Sequence, residues 1–346
     1  MNEQQMVAFF SDRASRGVPM VLVTVIETAG STYSKAGAQM LVDGDGLFCG
    51  MLSGGCLEGD LAERAQSVIA EETPQHATYE LDADDELFGL GVGCEGTMRV
   101  VLQPLLKRHD YQPFATLSAV KTGHRPAATA MLVDSETPGL VVGSMAIANG
   151  SHRQLFGISE EIADELDLDV AGLKTVTVEN AECRVLCWKT KPMPALLVMG
   201  AGLDSEPLVS ITTSLGWRCT VVDHRSAYVN GRRYPPSIIK RCIPVAELSA
   251  SLDLSLFDMA MVMSHHLASD RAYLQQLART DVGYVGLLGP PGRRDRLLSE
   301  MGDAAALLES RLHGPAGFDL GGRGPGPIAV SIAAEMQEYL GGLEAV

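Results

Sequence analysis

The chain is expected to be an α/β protein of two domains, an α+β domain followed by a Rossmann-like, doubly wound parallel sheet. Three observations predict this. From Ala195 onward, short and wholly apolar runs alternate with helical patterns, as buried parallel strands alternate with crossover helices. The first of those runs enters Gly200-Ala201-Gly202 and the second ends at Asp223, a partial dinucleotide fingerprint. Before residue 190 the pattern differs: β-branched runs are punctuated by Asp-Gly turns and glycine clusters. The stretch Lys189-Thr190-Lys191-Pro192-Met193-Pro194 divides the two regimes, giving domains 1–190 and 191–346.

Residues 1–16 read as a helix with Met6, Phe9 and Phe10 on one side, and 20–26 as a β-branched strand. A polar loop from Glu27 to Thr32 closes at Lys35-Ala36-Gly37. Residues 39–42 and 47–52 read as a hairpin around Asp43-Gly44-Asp45-Gly46. Ser53-Gly54-Gly55 then turns the chain into a helix over 57–72, with apolar Leu57, Leu61, Ala65, Val68 and Ile69 at helical spacing. Strands are expected at 76–81 and 97–102. Between them lie a solvated acidic run (Asp82, Asp84, Asp85, Glu86) and a second glycine-rich turn ending Gly91-Val92-Gly93-Cys94-Glu95-Gly96.

The least legible part is 105–190, with strands expected at 127–133, 140–142, 176–178 and 183–188 and a short acidic helix at 159–166. Cys183, Val185 and Cys187 share one strand face there, as core residues do. Further on, strands are expected at 195–199, 218–222, 238–243, 258–263 and 284–288, and helices to about 215, over 269–279, from 292 and over 325–340. No internal repeat or low-complexity segment is visible.

The chain's 346 residues and 46% apolar content suit two packed domains. A formal charge of −16 opposes binding to nucleic acid or an anionic membrane. No run approaches the roughly 18 apolar residues of a membrane helix, and the first residues lack the basic and apolar regions of a signal peptide. Seven cysteines without framework spacing fit free thiols in a reducing compartment, so a cytoplasmic location is expected.

Two places can carry chemistry. In Ser53-Gly54-Gly55-Cys56-Leu57-Glu58, two glycines allow a sharp turn and close approach of a ligand to the backbone. The following helix start favours an anion, and Cys56 would there be a thiolate-prone sulfur, although a small core residue after a turn is the plain alternative. The second place is the strand-end edge of the C-terminal sheet, which gathers Asp223, His224 and Arg225, then Ser264, His265 and His266, then Gly289, Arg293 and Arg294. Together these read as a cationic crevice for phosphate or carboxylate. Asp204 and Glu206, in the first turn after Gly202, oppose a pyrophosphate, so NAD(P) binding is expected to be weak or absent.

The chain resembles the XdhC/CoxI family of accessory proteins for molybdenum hydroxylases. The resemblance lies in Gly30-Ser31-Thr32, 37–42, Ser53-Gly54-Gly55-Cys56-Leu57-Glu58 and Gly91-Val92-Gly93-Cys94-Glu95-Gly96. It continues in Gly200-Ala201-Gly202, Asp223-His224-Arg225, Ser264-His265, Asp270, 284–289, 311–317 and 328–335. Leu203 stands where the family has histidine. The resemblance implies an XdhC-type N-terminal domain and a protein that is not a free-standing catalyst. It would carry molybdenum cofactor as cargo, aid its sulfuration with a cysteine desulfurase, and deliver it to a xanthine dehydrogenase-like hydroxylase, as a homodimer. Ser53, Gly54, Gly55, Cys56, Glu58, Gly93, Cys94, Gly200, Gly202, Asp223, Arg225, His265 and Arg293 would then contact cofactor, with Cys56 and Cys94 nearest the metal. The competing readings are an NAD(P)-dependent oxidoreductase using Gly200, Gly202 and Asp223, and a structural adaptor between desulfurase and hydroxylase.

Overall fold

Alternation along one strand sets the first unit's two cores. In β1 (Met20–Gly30), Val21, Val23 and Val25 enter one apolar cluster, while Met20, Leu22 and Ile26 enter another. The computed structural model describes residues 2–81, 96–135, 137, 139–150, 152–165, 168, 170–178 and 181–344. The chain divides into two compact units, Met1–Pro192 and Met193–Val346.

The first unit begins with α1 (Glu3–Ser15), whose Asn2 and Gln5 form a reciprocal capping box. After β1 come β2 (Gln39–Asp43), β3 (Phe48–Cys49), α2 (Glu58–Glu71), β4 (Gln75–Leu81) and β5 (Gly96–Leu105). Then follow α3 (Phe114–Thr122), β6 (Ala127–Ser135), β7 (Met145–Asn149), β8 (His152–Phe156), α4 (Glu160–Glu165), β9 (Gly172–Val178) and β10 (Ala181–Thr190). Two five-stranded antiparallel sheets result, ordered β3-β2-β1-β5-β4 and β8-β7-β6-β10-β9. The unit is therefore an internal repeat: each half runs helix, three strands, helix, two strands, and lays its strands in the same order. α1 and α3 pack with both sheets in one cluster, through Phe10, Phe114 and Leu117.

Several expectations are corrected here. Residues 140–142 form no strand, because turn bonds from the Leu140 and Ser144 amides to Thr137 and Val141, with Gly143 at φ +87°, close a connection between β6 and β7. The strand expected over 47–52 is only Phe48–Cys49. β7 and β8 have no counterpart among the expected strands. Cys183, Val185 and Cys187 are buried together, as expected of core residues.

The second unit holds the expected parallel sheet. Its elements are β11 (Ala195–Met199), α5 (Ser205–Ser214), β12 (Arg218–Asp223), α6 (Ser226–Gly231), β13 (Ile239–Cys242), α7 (Leu248–Ser251), β14 (Met259–Val262), α8 (Leu267–Leu277), β15 (Tyr284–Leu287), α9 (Pro291–Met301), β16 (Leu312–His313) and α10 (Pro325–Glu344). The strand order β13-β12-β11-β14-β15-β16, all parallel, is that of a doubly wound fold, with its switch point between β11 and β14. Two apolar clusters, one on each face of the sheet, divide alternate residues of β11, with Leu197 and Met199 on one side and Leu196 and Val198 on the other. Among the described residues no helix is long and apolar enough to cross a membrane.

Candidate functional site

The turn between β3 and α2 is built around one carboxylate. Glu58 opens α2 and is 2% exposed. Its Oε1 accepts the amides of Leu52 and Ser53 at 2.7 and 2.9 Å. Its Oε2 accepts the Ser53 hydroxyl at 2.5 Å and the Gly55 amide at 3.0 Å. The Leu57 amide completes the knot by donating to Ser53 Oγ at 2.8 Å. Burial alone would push the Glu58 carboxyl up; the bonds from Ser53 and the amides outweigh it and hold it below the usual carboxylate range.

The turn's own groups thus engage Ser53 and Glu58, two of the residues expected to contact cofactor. Both are buried and spent on holding the turn, and the Gly55 amide is taken by Glu58 rather than left for an external anion. Met51, Gly54 and Gly55 of the turn are exposed, and Cys56 is partly so. Gly54 and Gly55 lie at φ +80° and +114°, where a side chain is strained. A Cβ on Gly55 would meet nothing within 4 Å, whereas one on Gly54 would touch the Tyr33 ring at 3.5 Å. Cys56 is half-buried, backed by the α2 cluster, and stands just before the helix N-cap Leu57 rather than inside the first turn. Tyr33 and Met51 are exposed beside it, and Ser34 Oγ donates to the Met51 carbonyl. Gly93 and Cys94 lie outside the described residues. Among the described residues no group of three His, Cys, Asp or Glu side chains could hold a metal ion.

The strand-end edge of the C-terminal sheet does bring the expected residues together, but not as a free cationic crevice. Asp223, 1% exposed, accepts the Ala201 amide at 2.8 Å and the Arg225 guanidinium at 2.9 and 2.8 Å. Burial would raise its carboxyl, and the Arg225 bonds pull it below its usual range. Arg293 donates to Asp270, also 1% exposed, at 2.5 Å, and Asp270 takes the Ser264 amide and hydroxyl. His265, at φ +59°, meets Asp204 at 2.5 Å, while its neighbour His266 caps α8 through Ser269. Arg225, His265 and Arg293 therefore each already face a carboxylate of this chain, while His266 is turned to its own helix. Gly200 is packed too: a Cβ there would lie 2.5 Å from the Met263 carbonyl oxygen.

Sequence reasoning missed one constellation in this unit. Glu335 of α10 accepts the Tyr284 hydroxyl and the Gly317 amide at 2.6 Å each, and meets His313 Nδ1 at 3.0 Å. The Tyr284 and His313 rings stack with centroids 4.1 Å apart. Burial pushes the Tyr284 hydroxyl up, and Glu335 adds to the shift. His313 and Glu335 line a cleft of about 330 Å³ with Glu338, Tyr339, Gly342 and Leu343. Its members lie in the stretches 284–289, 311–317 and 328–335 that carry the family resemblance, but they come from β15, β16, the segment after it and α10, so only the fold shows that they meet.

Residues 14–80 match the family model described as XdhC and CoxI family, and residues 196–336 match that described as XdhC Rossmann domain. Together they span more than half of the chain. A curated relative from Bacillus subtilis (strain 168), named as a probable xanthine dehydrogenase subunit, is 27% identical over 91% of this chain and 92% of its own. Another, the molybdenum cofactor insertion chaperone PaoD of Escherichia coli (strain K12), is 26% identical over 62% of this chain and 78% of its own. A crystal structure described as a xanthine dehydrogenase from Bacillus halodurans aligns with a TM-score of 0.75 at 28% identity, covering 98% of this chain and 96% of that one. On both its halves, then, this chain belongs to the XdhC/CoxI family.

Proposed function

We propose that the protein is an accessory factor that binds molybdenum cofactor as cargo, assists its sulfuration and passes it to a xanthine dehydrogenase-type hydroxylase. Two relatives carry names that support this, one as a cofactor insertion chaperone and one as a probable xanthine dehydrogenase subunit. The observation that carries the reading is the turn at 50–57. A buried glutamate fixes its backbone, Gly55 leaves open space, and the sulfur of Cys56 sits at its mouth. Rigid presentation of one soft donor beside open space suits a cargo that already holds its metal and must later be released. The reading includes a cysteine desulfurase as sulfur source, a homodimer, cytoplasmic location, and separable domains at 1–190 and 191–346. In it Cys94 joins Cys56 at the metal.

The test is to incubate the protein with released molybdenum cofactor, separate it from free cofactor, and measure molybdenum and pterin fluorescence. The wild type should retain both in equal amounts. Cys56→Ser keeps the size and the turn while removing the soft donor, so it should melt like the wild type and retain several-fold less molybdenum. Wild-type retention by Cys56→Ser would remove Cys56 from the site, and no retention by the wild type would remove the function.

A further inference from the structure

Over residues 224–242 the chain carries Arg225, Arg232, Arg233, Lys240 and Arg241 and no acidic residue, although acidic residues outnumber basic ones 43 to 27 in the whole chain. The stretch forms α6, a connection and β13, the outermost strand of the parallel sheet. β11, β14 and β15 are buried at every residue, whereas β13 is exposed at every residue, on both faces. One edge of β13 pairs with β12; the other has no strand beside it among the described residues. Arg225 and Arg232 bracket the Tyr228 ring at 3.7 and 5.4 Å and have carboxylates of this chain beside them. Lys240 and Arg241 have no ion pair among the described residues. Ile239 is 50% exposed beside them.

We propose that β13 is a docking edge for an extended acidic segment of a partner protein, which adds to the sheet as an outer strand. Lys240 and Arg241 are consecutive on a strand, so their side chains leave opposite faces and cannot converge on one small anion. An added strand with two consecutive acidic residues would meet both, one on each face, while an apolar neighbour covers Ile239. A second copy of this chain is the wrong occupant. Two-fold pairing of β13 with β13 sets like charges against each other, which is destabilising. The charges that refuse self-pairing are those that admit an acidic strand.

The full-length chain is titrated against a fluorescein-labelled peptide, Thr-Val-Glu-Asp-Val-Thr, by anisotropy at low and physiological salt. Matched titrations use the isosteric Thr-Val-Gln-Asn-Val-Thr, a backbone N-methylated acidic peptide, and poly-L-glutamate. The acidic peptide should bind, more weakly as salt rises. The Lys240→Gln/Arg241→Gln double variant should lose roughly three- to tenfold in affinity, and the isosteric and N-methylated peptides should lose at least as much. Both substitutions lie on exposed positions, and the melting temperature verifies the fold; the peptide series tests the same contacts without any variant. The proposal is overturned if the wild type binds no acidic peptide, if the double variant binds as well as the wild type, or if the isosteric peptide equals the acidic one. Poly-L-glutamate or the N-methylated peptide binding as tightly would also overturn it, by showing charge attraction without strand pairing. So would sedimentation showing a dimer that the double variant abolishes.

Discussion

The two halves of the N-terminal unit run through one order of elements, yet the connections from their third strand to the following helix differ. In the first half, residues 50–57 join β3 to α2; in the second, only 157–159 join β8 to α4. The fold therefore closes with three residues where the first half uses eight. The helix-opening glutamates differ in the same way. Glu58 is buried and gathers the backbone around it, while Glu160 has a 73% exposed side chain and, among the described residues, meets only Arg153 at 3.4 Å. The glycines differ too. A Cβ on Gly55 would meet open space, but one on Gly157 would lie 2.5 Å from Ser144 Oγ. Topology needs neither the extra length nor the buried charge of the first connection; in the proposed function both serve to present Gly55 and Cys56.

The largest expected effect breaks that comparison at the glutamates. Glu58→Ala leaves a hydroxyl and three amides without their acceptor, and each unmet buried donor costs about 1–3 kcal/mol, so the loss should exceed about 3 kcal/mol. Glu160→Ala should stay within about 0.5 kcal/mol. Chemical denaturation of both variants checks this, and equal losses would mean that the Glu58 knot does not hold the fold.

The pH dependence sharpens the same point. The Glu58 carboxyl lies below its usual range in the folded chain, so its contribution is fully present above the unfolded value of about 4.3. It is lost as pH falls through the lower folded value. The stability gap between wild type and Glu58→Gln, about 1.5–3 kcal/mol near neutrality, should therefore persist down to about pH 4.3 and narrow only below it. A gap that closes between pH 7 and 5 would contradict the depressed carboxyl.

The glycines give a smaller contrast. Both positions have positive φ, +114° at Gly55 and +74° at Gly157, so alanine costs about 1–2 kcal/mol at each. Gly157→Ala adds a collision with Ser144, which raises its cost by about 1 kcal/mol. Melting curves of the two variants should rank them in that order, while only Gly55→Ala should lower molybdenum retention.

How far these features were legible follows from where their information sits. β11, β14 and β15 carry continuous apolar runs, β12 is mostly apolar between Arg218 and Asp223, and β11 is read to the residue. β8 (His-Arg-Gln-Leu-Phe) is mostly exposed and shows no alternation, and β16 is two residues long, so neither leaves a pattern. The internal repeat is invisible because alternation reveals that a strand exists but not which strand it pairs with. Phe48–Cys49 and His152–Phe156 occupy equivalent places with nothing in common. At the turn, the residue types pointed to Glu58 and Cys56, but whether Glu58 faces a ligand or its own backbone is a tertiary fact. The ion pairs of the strand-end edge were hidden for the same reason: Asp270 and Arg293 are 23 positions apart, and only the fold pairs them.

A third glycine turn extends the contrast, and here the expected effect is close to zero. Gly200-Ala201-Gly202 occupies the place where doubly wound folds hold a pyrophosphate. The Ala201 amide donates to Asp223, and the Ala201 carbonyl accepts Arg232. Asp204 Oδ1 lies 2.6 Å from the position of a Cβ on Gly202, so a carboxylate covers the glycine's open side, fastened by His265. A pyrophosphate would have to displace that carboxylate against its own negative charge, at the mouth of α5 where Glu206 adds another. Gly55 has room for a ligand; Gly202 has spent its room on Asp204. Calorimetric titration with NADH should accordingly show no binding tighter than micromolar. Asp204→Gly, which uncovers Gly202 and removes the charge, should bind NADH measurably better than the wild type. Tight NADH binding by the wild type would instead show that the Asp204–His265 pair opens at little cost, and would move the oxidoreductase reading ahead of the cofactor-carrying one.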